Sequence, residues 1–178
     1  MGYSDSTISA FINPGKTEVM NFLNTCEIVV TRSHGNCFKD ADGNVIGNFI
    51  ALQSENIYNS DIEDLAAESL DNLILAIYVG CYTAAGDIFE GTERNLVVAT
   101  EDRGAATAVG FTDSILCVGA NAWVKFFFKN LANGENIDVA LNNAVESTEN
   151  KYWYYEVADT LNIDSCRYRG VWNYTFTE

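Results

Sequence analysis

The amino-acid sequence predicts one α/β domain in three layers, with a mostly parallel central sheet covered by helices on both faces. Apolar runs at 26–31, 73–79 and 105–111 have strand length and little alternation, as expected of strands buried on both sides. Between and after them lie stretches whose apolar residues recur at helical spacing, and strands alternating with helices build parallel sheets. The 178 residues, 48% hydrophobic and 12% aromatic, suffice for one sizeable core, and no repeat or low-complexity tract divides them, so 1–178 is expected to be a single domain.

Asn13-Pro14 followed by Val19, Met20, Phe22 and Leu23 predicts an amphipathic helix with Pro at its first position, ending near Asn24. The run Cys26-Glu27-Ile28-Val29-Val30-Thr31 predicts a buried strand that delivers the chain to Ser33-His34-Gly35. Asp42-Gly43 signals a hairpin between 37 and 50, and 65–70 suggests a brief helical turn; both read as surface connections. Residues 73–79 are apolar throughout and bounded by Asp71-Asn72 and Gly80-Cys81, which predicts the central strand. A helix-like stretch at 95–100 precedes Gly104, and 105–111 predicts another buried strand. Helices are predicted at 119–131, where Trp123, Phe126, Phe127 and Leu131 fall at core spacing before an Asn133-Gly134 stop, and at 137–146. The Tyr- and Trp-rich alternation over 152–176 predicts strands or an extended edge.

Twenty-five acidic residues against ten basic ones give a formal charge of −15, which opposes nucleic acid and anionic lipid, both of which are held through Lys and Arg. Neither partner is expected. No stretch approaches the roughly 18 apolar residues of a spanning helix, and no basic region followed by an apolar core opens the chain, so it is expected to be soluble, secreted or cytoplasmic. Cysteines at 26, 37, 81, 117 and 166 are odd in number and form no CxxC pair, so neither a disulfide framework nor a zinc site is signalled. Cys26 and Cys117 are expected to be buried structural thiols.

Two strands end in chemistry-bearing residues, and open α/β sheets bind their ligands beyond the carboxyl ends of strands. One leads into Arg32-Ser33-His34-Gly35, the other into Gly80-Cys81-Tyr82-Thr83. Adjacent and parallel, they would bring His34 and Cys81 to one edge. A thiol with a pKa near 8.5 is only partly ionised at neutral pH and needs a nearby imidazole to act as a nucleophile. His34 is the one histidine in the chain.

These residues resemble the caspase-like cysteine peptidases of clan CD, a group that includes caspases, clostripain-like and gingipain-like enzymes, separases and CHAT-type domains. The family has an apolar strand ending in His-Gly, matched by Ile28 to Gly35, then one ending in a small residue and Cys, matched by Gly80-Cys81; 47 residues separate His34 from Cys81, against about 50 in caspases. Gly104-Ala105 leading to Ala108-Val109-Gly110-Phe111-Thr112-Asp113, an aromatic helix and Leu131-Ala132-Asn133-Gly134 are similar to CHAT-type and separase-like domains. The resemblance covers residues 2 to about 147.

The resemblance implies peptide-bond cleavage without a cofactor, with a polypeptide as substrate. Cys81 would attack the scissile carbonyl to give an acyl-enzyme, His34 would assist proton transfer to the leaving amine, and backbone N–H groups of Gly35 and Cys81 would hold the oxyanion. Members specific for Arg or Lys often carry Asp two residues before the nucleophile, where this chain has Val79. Asp113, placed like the acidic residue that meets the P1 side chain in separase-like domains, is the substitute, giving a lean towards Arg or Lys. The caspase signature of Gln and Ala before the Cys does not occur, so cleavage after Asp is unsupported. The segment from Gly2-Tyr3 to Asn13-Pro14 resembles the family's second strand and loop, which implies that the first strand and helix are missing and that an N-terminal fragment or propeptide completes the sheet.

Rival patterns fit less well. Class I glutamine amidotransferases place His after the nucleophile in a G-x-C-x-G elbow, and Gly80-Cys81-Tyr82-Thr83 lacks the second Gly. Asp40-Ala41-Asp42-Gly43-Asn44 has calcium-type oxygens, but its Gly stands fourth instead of sixth. Asn173-Tyr174-Thr175 fits the glycosylation pattern, which is frequent by chance. The alternative within the same fold is a catalytically silent module that binds peptides or proteins.

Overall fold

The computed structural model describes residues 10–86, 94–153 and 161–176. A four-stranded sheet runs through its centre in the order β1 (Ile28–Arg32), β5 (Leu75–Val79), β6 (Thr107–Phe111), β7 (Cys166–Gly170). The first three strands are parallel and β7 is antiparallel to β6, so the sheet is mostly parallel as the sequence predicts. All five residues of β5 and of β6 are buried, which accounts for their unbroken apolar character.

Helices cover both faces. On one, α1 (Lys16–Thr25) and α3 (Leu96–Asp102) pack on Val29, Ala76, Tyr78 and Ala108. On the other, α4 (Cys117–Ala132) and α5 (Ile137–Tyr152) pack on Leu75, Ile77, Val109 and Phe111. Trp123 anchors that second layer, its ring 5.2 Å from Phe111 edge-on and 5.2 Å from Phe127 in a stack. Each such fully buried aromatic or aliphatic side chain contributes about 1.5–3 kcal/mol. Among the described residues no helix is long and apolar enough to cross a membrane.

Several local expectations are corrected. Pro14 does not open α1: Gly15 is the N-cap, because Glu18 Oε2 accepts from Gly15 N at 2.9 Å and Glu55 Oε1 accepts from Lys16 N at 2.9 Å. Residues 65–70 are not helical. The short helix is α2 (Asn59–Glu63), where Asp61 Oδ2 accepts from Tyr58 N at 2.8 Å. The hairpin around Asp42-Gly43 exists, but the region is no surface connection. Strands β2 (Gly35–Lys39), β3 (Val45–Ala51) and β4 (Asn56–Tyr58) form a second, antiparallel sheet whose Ile50 and Ile57 enter the α1–α3 side of the core. Helix α5 extends six residues past the predicted 146; among the described residues of the aromatic tail, β7 is an edge strand, as the sequence predicts.

Cys117 is exposed and Cys26 partly so, against the expectation of buried thiols; Cys117 opens α4 at the lip of a cleft, one turn before the helix enters the core at Gly119 and Ala120. Of the segment 2–14 compared with a second strand and its loop, 2–9 lie outside the described residues, as do 154–160 of the tail. Within the described residues β1 is a sheet edge, and on its α4-side face Ile28 and Val30 stay 39% and 41% exposed.

Candidate active site

The parallel pairing of β1 with β5 sets the site. Arg32 stands opposite Val79, and the ladder continues one step further through Ser33 N to Val79 O at 3.1 Å. His34 and Cys81 each lie two residues beyond that last matched pair, so the sheet delivers both to the same edge. They share a cleft of about 220 Å³, walled also by Arg32, Ser33, Gly80 and Cys117. His34 is exposed and Cys81 half-buried. No hydrogen bond joins the imidazole to the thiol among the described residues. The Cys81 sulfur instead receives the Ile115 N–H at 3.4 Å and lies 3.7 Å from the Ile115 carbonyl oxygen.

Gly35 follows His34 into β2 against the Cys81 turn. A Cβ there would strike the Cys81 carbonyl oxygen and come within 3.1 Å of both Phe49 O and Thr83 Cγ2. Only Gly fits. Because Ala51 N donates to His34 O at 2.7 Å, the alternation of an antiparallel ladder leaves the Gly35 N–H facing away from β3, towards the end of β5. The Cys81 N–H has no acceptor among the described residues. Two candidate oxyanion donors therefore sit near the thiol with hydrogens uncommitted to β3.

The turn after Cys81 is strained and held from three sides. Tyr82 has φ 60°, a left-handed conformation that costs a non-glycine residue about 1–3 kcal/mol. Its N–H donates to Asp113 O at 3.1 Å. Thr83 Oγ1 lies 2.9 Å from Tyr78 O and 3.1 Å from Gly80 O, while accepting from Phe111 N at 3.1 Å. Asn48, buried in β3, donates through Nδ2 to Tyr82 O at 3.0 Å and Thr83 O at 3.1 Å and accepts from Leu96 N at 2.9 Å. Asn48 and Thr83 escape sequence reading: Asn48 reads as hairpin polarity, and its partners lie 34 to 48 residues away.

Asp113 stands apart from the cleft wall. It is exposed, and its Oδ1 accepts from Ser114 N at 2.6 Å. Its carboxylate also meets the Tyr82 phenol. Hydrogen bonding with Ser114 works to lower that phenol's pKa, but the hydrogen bond and charge of Asp113, with some desolvation, outweigh it and the net shift is upward. So His34, Gly35 and Cys81 are brought together, and Asp113 is tied to the residue after the thiol. No group of three or more His, Cys, Asp or Glu side chains among the described residues is arranged to hold a metal ion.

No family model and no curated protein matches the chain. Its fold is nonetheless similar to solved structures. A protease structure superposes with a TM-score of 0.63 at 11% identity, over 87% of this chain and 36% of that one. An Arg-specific cysteine proteinase, gingipain R, superposes with a TM-score of 0.59 at 11% identity, over 90% of this chain and 35% of that one. The chain thus spans about a third of the length of these structures. The likeness shows the fold: mixed α/β of the caspase-like kind, with a mostly parallel sheet between helices.

Proposed function

We propose that the chain is a cysteine-type endopeptidase in which Cys81 is the nucleophile and His34 its proton-transfer partner. The observation that carries the reading is the shared register by which β1 and β5 bring the one imidazole and an accessible thiol into one cleft. Catalytic hydrogen bonds often tighten only once substrate is seated, so their separation in the free protein is compatible with this role. Attack by sulfur on a peptide carbonyl would place the oxyanion by the Gly35 and Cys81 N–H groups, with His34 protonating the departing amine and water later cleaving the acyl-enzyme.

For specificity, Asp113 is the candidate partner of an Arg or Lys P1 side chain, supported by its tie to Tyr82 and in line with the Arg specificity of gingipain R. Within the described residues β1 is a sheet edge with Ile28 and Val30 exposed beside it, which supports a further polypeptide segment adding to the sheet.

A peptidyl acyloxymethyl ketone tests the dyad. Labelling at Cys81 that is lost in His34→Ala is expected, whereas a folded protein with an unreactive Cys81 overturns the peptidase reading in favour of a silent binding module. In a fluorogenic P1 panel, Asp113→Ala is expected to abolish cleavage after Arg and Lys; unchanged cleavage removes Asp113 from the S1 pocket.

A further inference from the structure

Cys117 shares the cleft with Cys81, and the peptidase chemistry has no use for it. The sulfur of Cys81 is gripped by the Ile115 backbone, N–H at 3.4 Å and carbonyl at 3.7 Å, and Cys117 begins α4 only two residues further on. Two residues span at most roughly 7 Å, so the Cys117 backbone is tethered close to the Cys81 thiol. Cys117 is exposed, Cys81 is half-buried, and both line the same cleft. Neither is in a disulfide.

We propose that Cys81 and Cys117 form a reversible disulfide that switches the cleft off under oxidation. The inference rests on the reading of Cys81 as a reactive thiol. The oxidant is a hydroperoxide, in two steps. The Cys81 thiolate attacks the peroxide's terminal oxygen, the O–O bond breaks, an alcohol or water leaves after protonation, and Cys81 becomes a sulfenic acid. The Cys117 thiolate then attacks that sulfur, the S–O bond breaks and a second water leaves, so the two thiols together give up two electrons and the peroxide takes them. Cys117 acts as the resolving thiol. Without it, a second equivalent of peroxide would carry Cys81 on to the sulfinic acid, which ordinary thiol reductants do not reverse. Closing the bridge removes the attacking sulfur from the cleft and shields it from permanent damage.

The sequence makes the test direct, because trypsin separates the two cysteines: Cys81 alone lies in the peptide 40–94, Cys117 alone in 104–125 and Cys37 in 33–39. The full chain is treated with hydrogen peroxide, blocked with iodoacetamide and digested without reductant. The expected result is a linked 40–94/104–125 species that dithiothreitol removes, with alkylation of Cys81 lost on oxidation and regained on reduction. In Cys117→Ser, the linked species is absent and Cys81 alkylation stays lost after reduction. If Cys81 alkylates readily in the reduced protein but oxidation links it to 33–39, or to nothing, the pairing is overturned while the reactive thiol stands. If Cys81 resists alkylation in the reduced, folded protein and no linked species forms, both the switch and the peptidase reading fall.

Discussion

Removing the side chain of Asn48 tests whether a residue remote in sequence holds the turn that presents Cys81. In Asn48→Ala, the buried Leu96 N–H and the Thr83 carbonyl lose their side-chain partner, and each orphaned buried group costs about 1–3 kcal/mol. The Tyr82 carbonyl is only part-buried and turns to water at about 0.5–1 kcal/mol. The sum centres on about 5 kcal/mol, a large share of the 5–15 kcal/mol that holds a typical domain together. With a urea slope of about 2 kcal/mol/M, the unfolding midpoint is expected to fall by about 2.5 M. Asn48→Asp sharpens the test, because it keeps an acceptor for Leu96 N–H but aims a carboxylate at two carbonyl oxygens; it is expected to be no more stable than Asn48→Ala. Under native conditions the rate of Cys81 alkylation should change in both variants, since Tyr82 is no longer pinned at φ 60°. A midpoint shift in Asn48→Ala below about 0.5 M with unaltered alkylation would refute the reasoning.

Gly35→Ala places a Cβ against the Cys81 carbonyl oxygen and 3.1 Å from Phe49 O, so the backbone must part; the expected outcome in a kinetic assay is near-complete loss of turnover with folding retained by circular dichroism, and wild-type turnover would contradict the close approach. Burial drives the Tyr78 phenol upward more strongly than its 2.7 Å hydrogen bond with Thr100 lowers it. A raised folded-state pKa gives stability that is full below the unfolded value of about 10 and lost as pH climbs above it, by up to about 1.4 kcal/mol per pH unit. Thermal melts should therefore fall above about pH 10 in the wild type and less steeply in Tyr78→Phe, and parallel curves would contradict the assignment.

What the sequence made legible and what it hid divide along physical lines. β5 could be placed because both of its faces are buried, which leaves an apolar run with no other explanation. The helices α4 and α5 were visible through the spacing of Trp123, Phe127 and Leu131 and of Ile137, Leu141 and Ala144. β3 escaped notice as a core strand because Gly47 and Asn48, both buried, are residue types that usually mark turns; Gly47 is there because a Cβ would come 2.9 Å from Asn59 Oδ1. α2 is too short to have a period, and the leucines at 65 and 70, which suggested a helix, serve a turn. Cys117 misled for a different reason: hydrophobicity predicts burial on average, whereas Cys117 opens α4 at the exposed lip of the cleft.

The candidate site depends on strand register more than on its own local sequence. A slip of one residue between β1 and β5 would exchange the faces of a whole strand, putting Val29 and Thr31 on the side of Ile28 and Val30, and would move His34 out of step with Cys81. What pins the register is burial: Val29 packs into the α1–α3 side of the core, while Leu75, Ile77 and Val79 fill the α4–α5 side. Many apolar sequences satisfy that requirement equally well. A fold can therefore be shared with gingipain R at 11% identity, since the parallel pair needs a burial pattern and not particular side chains. At the candidate site particular residues are required where backbones crowd, at Gly35, Gly80 and the Tyr82–Thr83 turn, and there any larger residue at Gly35 or Gly80 meets an oxygen at 3.1 Å or less.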